Sequence, residues 1–195
     1  MGWTSIHNDG GYKTNKELYE RELRNGWNSN VTVLDVAFVG SNIYELLNLK
    51  KENGEEEVFI NQILVSRNRA KDGYSASISY KHVSESMGPT LHDCPVKFLK
   101  QSTCQDEYAV AWRKRCYEYR EESKKHKQKI EDVYKKLPRG TIIETFGGTK
   151  LEFAYHYTKT KFAAYMLEGE NAGKLYSWKY TSIKEIVEDK QKETA

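Results

Sequence analysis

Cysteine is scarce in this chain: Cys94, Cys104 and Cys116 are the only three among 195 residues. An odd number makes no disulfide framework, so the sequence predicts a protein of a reducing compartment. Their spacing does not describe a zinc site either. Structural zinc sites use close cysteine pairs, because short loops bring two sulfurs to one tetrahedral ion; here nine and eleven residues intervene. The deaminase signature His-x-Glu with Pro-Cys-x-x-Cys is missing. His92-Asp93-Cys94 shows no orienting third group beyond Asp93, as a nucleophilic thiol would need. Long apolar runs are lacking too. No window approaches the ~18 apolar residues of a membrane-spanning helix. Met1 to Asp9 holds no signal-peptide core, and Ile6 stands where a myristoylation signal requires Ser or Thr. A soluble, cytoplasmic protein with no membrane partner is expected. Gly147-Gly148-Thr149-Lys150 lacks the phosphate-loop frame, Gly10-Gly11 lacks the strand and helix of a dinucleotide fingerprint, and no paired carboxylates stand out. No catalytic residue, metal ligand or cofactor is therefore assigned.

An excess of one charge is lacking as well. Lys plus Arg number 31 against 28 Asp plus Glu, for a net +3. That total leaves a nucleic-acid partner open without pointing to one, since dedicated binding domains have a pI above about 9. What is present is 30% charged, 38% hydrophobic and 12% aromatic residues. The length fits one domain, or one with an appendage.

Along the chain, residues 15–25 carry Leu18, Tyr19 and Leu23 on one stripe, with Asn15 as N-cap and Gly26 as stop, and read as a short amphipathic helix. Four β-branched runs follow: Val31–Val39, Asn42–Leu49, Val58–Val65 and Tyr74–Tyr80. Gly40-Ser41, Asn53-Gly54 and Lys71–Gly73 separate them, and such short turns force antiparallel neighbours. The first 104 residues are thus predicted to be a four-stranded antiparallel meander with helices on one face. Two prolines and a glycine make Met87–Pro95 a loop. A long helix is expected from Asp106 to Lys136, covering 105–137 as a segment. Its apolar stripe runs Tyr108, Trp112, Cys116, Tyr119, then Ser123 and His126, then Ile130, Val133, Tyr134 and Leu137. Residues 138–188 hold several short strands, read as a small SH3-like β-barrel ending at Ser182–Glu188. Residues 189–195 read as a disordered tail. The class is α+β.

The long helix concentrates charge. Between Arg113 and Lys129 stand Arg113, Lys114, Arg115, Arg120, Lys124, Lys125, Lys127 and Lys129, against Glu118, Glu121 and Glu122. The surplus exceeds that of the whole chain. Arg113, Tyr117, Arg120, Lys124 and Lys127 follow a 4, 3, 4, 3 spacing, so they form a ridge roughly 21 Å long, enough to follow several phosphates. An aromatic within a basic row suits stacking on an unpaired base. The plainer alternative is a solvated face with pairs such as Glu121 and Lys125. Trp3, His7 and Trp27 form a candidate protein-contact surface, since aromatics are enriched at interfaces.

Met1-Gly2-Trp3-Thr4-Ser5, then Met87-Gly88-Pro89 with Asp93-Cys94-Pro95, then Glu107-Tyr108-Ala109 with Trp112-Arg113-Lys114 and Cys116-Tyr117, and finally Leu137-Pro138 with Gly140-Thr141-Ile142-Ile143-Glu144 occur in this order. Together they resemble a family of proteins of unassigned activity carried by phages, plasmids and other mobile elements of gut Firmicutes. The chain departs from it after His7, at Asn8-Asp9-Gly10. The resemblance implies a mobile-element setting and supplies no catalytic residues. It leads to the expectation of a non-enzymatic inhibitor of a defence nuclease, similar in role to anti-CRISPR proteins that bind a Cas9-type effector, its DNA or its guide RNA. A nucleic-acid-binding accessory protein of a mobile element is the first alternative. A cysteine- or metal-dependent enzyme is the second.

Overall fold

The computed structural model describes residues 2–8, 12–69 and 76–188, with no side-chain account of residues 7, 8, 68, 69 and 76. The turn expected at Lys71–Gly73, Gly10-Gly11 and the tail 189–195 lie outside the described residues. The chain forms two compact units, Met1–Arg120 and Glu121–Ala195.

In the first unit, β2 (Val31–Val39), β3 (Asn42–Lys50), β4 (Glu56–Arg69) and β5 (Ala76–Ser84) pair antiparallel in sequence order. The expected runs are there, but the four-stranded meander is not. A further strand, β1 (Thr4–Asn8), pairs with β5, giving a five-stranded sheet of order β1-β5-β4-β3-β2. Thr4-Ser5-Ile6-His7-Asn8 offers one apolar residue, Ile6, which packs inward. Its partner strand begins about seventy residues later, so no local pattern announces it.

Helices on one face also proves incorrect. Side chains of successive strand residues point to opposite faces, and both faces of this sheet are covered. Ile43, Ile63 and Ile78 lie under Leu18, Tyr19 and Leu23. These three come from α1 (Asn15–Leu18) and the π-helical turn that continues it over Tyr19–Leu23. The cap is Thr14 rather than Asn15, its hydroxyl accepting from the Glu17 N–H at 3.1 Å. On the opposite face Tyr44, Leu46 and Ile60 meet Phe98 and Leu99 of α2 (Val96–Gln101) and Trp112 and Cys116 of α3 (Glu107–Asp132). Covering on both sides explains why Asn42 to Leu47 of β3 are buried without alternation.

The second unit holds β6 (Ile142–Thr145), β7 (Lys150–Thr158), β8 (Lys161–Met166), β9 (Leu175–Lys179) and β10 (Ile183–Glu188). They form an antiparallel sheet of order β10-β6-β7-β8-β9. This corrects the predicted barrel: β9 and β10 are the two edges and do not pair, so the sheet stays open. A 3-10 turn over Tyr180–Ser182 carries the chain from one edge to β10, which pairs with β6 at the other. Its inner face buries Ile143, Leu151, Phe153, Phe162 and Ile183 against Ile130, Tyr134 and Leu137.

Candidate functional site

On α3 the buried stripe within the first unit runs through Ala109, Trp112 and Cys116, while Tyr108 and Tyr119 are exposed. That stripe passes beside Arg113 and Arg120, and it draws both arginines inward. Arg113, 12% exposed, sends Nη1 to Oε2 of Glu85 at 2.6 Å and to the Ser102 hydroxyl at 2.7 Å, and Nη2 to the Cys104 carbonyl at 2.6 Å. Glu85 has no exposed surface and also accepts from the Ile60 N–H at 2.9 Å. Arg120 donates to the carbonyl oxygens of Asp93, at 3.3 Å, and Cys94. Both guanidiniums hold the 85–104 segment against α3. Arg's fixed fork of donors suits it to several acceptors at once.

The rest of the ridge faces solvent. Tyr117 is exposed; Lys124 pairs with Glu121 at 2.7 Å, one residue from the pairing expected with Lys125. Lys127 is exposed in the second unit. The ridge thus divides into two inward arginines and an outward tyrosine and two lysines. Glu85, the counter-charge of Arg113, escaped the sequence reading because it is 28 residues away, between the strand expected to end at Tyr80 and the Met87–Pro95 loop.

The cysteines are buried. Burial pushes the Cys116 thiol up to about 12 and raises Cys94 and Cys104 as well. A thiol held protonated at neutral pH is a poor nucleophile. Among the described residues, no group of three or more His, Cys, Asp and Glu side chains could hold a metal ion.

Of the proposed aromatic contact surface, Trp3 is exposed, and the side chain of His7 lies outside the described residues. Trp27 is half-buried and tied into a polar knot. Its Nε1 donates to Oε1 of Glu45 at 3.2 Å, beside the Tyr19 hydroxyl at 2.8 Å, and Asn61 Nδ2 donates to Oε2 at 2.7 Å. His82 stacks edge-on against Trp27 at 5.4 Å and meets Asn61 at 2.9 Å through Nδ1. Both Glu45 oxygens are thus occupied by donors from three separate segments. This is an anchor for residues 19–27 on the sheet. A cavity of about 630 Å³ opens beside it, lined by Tyr19, Trp27, Val33, Leu34 and Phe38 among others.

Lysines gather at one end of the second sheet. Lys161 of β8 stands directly across from Lys179 of β9. Their neighbours in register, Phe162 and Trp178, face the core, so the two lysines lie on the outer face. Tyr155 is paired with Ala163, two residues along β8, on that same face. Tyr155 is 49% exposed and Tyr157, at a register shift in β7, is 58% exposed. The sequence shows these residues as an ordinary hairpin; only strand register brings the lysines together. No family model, curated protein or solved structure matches this chain.

Proposed function

We propose that the protein is a non-enzymatic inhibitor of a bacterial nucleic-acid-targeting defence nuclease, an anti-CRISPR protein that engages a Cas9-type effector, its DNA or its guide RNA. The observation that carries this reading is the lysine-rich, tyrosine-bearing end of the second sheet, a surface with cations left open to a polyanion. The outward Lys127 of α3, which lines a cavity together with Lys159, adds to it. The mobile-element resemblance supplies the setting. Buried, protonated thiols give the cysteine-enzyme alternative no support.

A plasmid-cleavage assay tests the reading. Purified protein added to guided nucleases of the host range is expected to reduce cleavage by at least one of them, saturating near one inhibitor per effector. Undiminished cleavage by all of them overturns it. The same lysines favour a second reading, a nucleic-acid-binding accessory protein. That reading requires DNA or RNA binding with nuclease activity untouched. For about four phosphate contacts it predicts a slope of log K against log salt near −3.6 on duplex DNA.

A further inference from the structure

A cavity of about 280 Å³ lies in the second unit, where Ile130 and Tyr180 supply apolar wall and Lys127, Glu131, Lys135 and Lys159 line it. Lys159 and Thr160 form the turn between β7 and β8, and the next residue is Lys161, facing Lys179. Like charges placed directly across a strand pair repel one another. Among the described residues no carboxylate lies within 4.0 Å of the ammonium groups of Lys127, Lys159, Lys161 or Lys179. Of this collar only Lys135 has an acidic partner, Glu131 at 2.6 Å. The fold therefore gathers Lys161 and Lys179, which its own acids do not neutralise, on the outer face that also carries the exposed Tyr155, with Lys159 at the adjoining turn.

We propose that this end of the second unit binds a single-stranded nucleic acid. The ammoniums of Lys159, Lys161 and Lys179 take successive phosphates and Tyr155 stacks on an unpaired base. A duplex hides the faces of its bases, so a tyrosine platform reads single strands. The chemistry, an unstacked base beside its phosphate, is common to RNA and DNA. This inference rests on the reading of the protein as directed at a nucleic-acid-targeting machine and goes beyond it by naming the ligand and the residues.

The test needs no nuclease: fluorescence anisotropy of labelled oligo(dT) and oligo(U), about 16 nucleotides long, against a duplex of the same length, with the full chain. Either single strand is expected to bind about tenfold tighter than the duplex. For about four phosphate contacts the salt slope should lie near −2.8, and the Lys161→Gln/Lys179→Gln pair should reduce it by about 1.4. Tyr155→Ala should weaken binding about tenfold without changing the slope, and Tyr155→Phe should restore it. Thermal unfolding checks the fold of the lysine pair; should that variant not fold, the exposed Tyr155 substitutions still decide. No binding, duplex preferred, or both sets of variants binding as wild type would overturn the inference. Absent oligonucleotide binding with cleavage still inhibited removes this inference and leaves the inhibitor reading intact. Oligonucleotide binding with cleavage untouched does the reverse.

Discussion

Arg113 shows how one residue type can have two opposite meanings. Its place in a basic row suggests a phosphate contact, yet its guanidinium closes on the buried Glu85. Removing one partner of a buried ion pair leaves the other charge desolvated and costs about 3–5 kcal/mol. Glu85→Gln and Arg113→Met should accordingly each lower the urea midpoint sharply, and combining them should cost much less than the sum of the two. Additive losses in that double-mutant cycle would mean the two groups do not act as a pair. His82 gives a second residue-scale prediction. Burial holds its imidazole below the ordinary range, while the Glu45 carboxylate pulls it the other way and Asn61, Trp27 and Tyr80 complete its surroundings. The unfolded chain then binds the extra proton more readily, so stability is full above about pH 6.5 and is lost as pH falls toward the folded value. Denaturation midpoints should decline through that window, and His82→Gln should flatten the decline. An unchanged pH profile in the variant would assign the decline to other groups.

At the scale of elements, much of the fold is legible where the pattern is local. The runs of β2 to β4, the Asn53-Gly54 turn with Gly54 at φ 84° and the long helix all follow from short-range signals. What the sequence hides is long-range. Thr4–Asn8 is too short and polar to announce a strand, and its pairing with β5 is set by the sheet, not by its own residues. Likewise the last strand could close a barrel or extend a sheet; only its pairing with β6 decides. The helix α3 contributes to a separate core in each unit, with Trp112 in one and Ile130 in the other. Trp112→Ala should destabilise the first unit by about 3–5 kcal/mol and Ile130→Ala the second by about 2–5 kcal/mol. Hydrogen exchange resolved by segment checks this: each substitution should raise exchange chiefly in the strands of its own unit. Equal exposure of both units by either change would show that they unfold as one.

For the whole molecule, a net charge of +3 conceals an uneven distribution. The helix ridge that dominates the sequence gives up two arginines to internal bonds, and a second group of lysines, dispersed along the sequence, is assembled by the second sheet. The site was therefore only partly legible: Lys127 stands in both readings, whereas Lys159, Lys161 and Lys179 needed the register. The proposed function requires this assembled surface to block a guided nuclease. The most direct measurement is plasmid cleavage by the sensitive nuclease with wild-type protein and with the Lys159→Glu/Lys161→Glu/Lys179→Glu variant, both shown to be folded by thermal unfolding. Wild type is expected to stop cleavage and the charge-reversed protein to leave it running; equal inhibition by the two, or none by wild type against any nuclease of the host range, would overturn the proposed function.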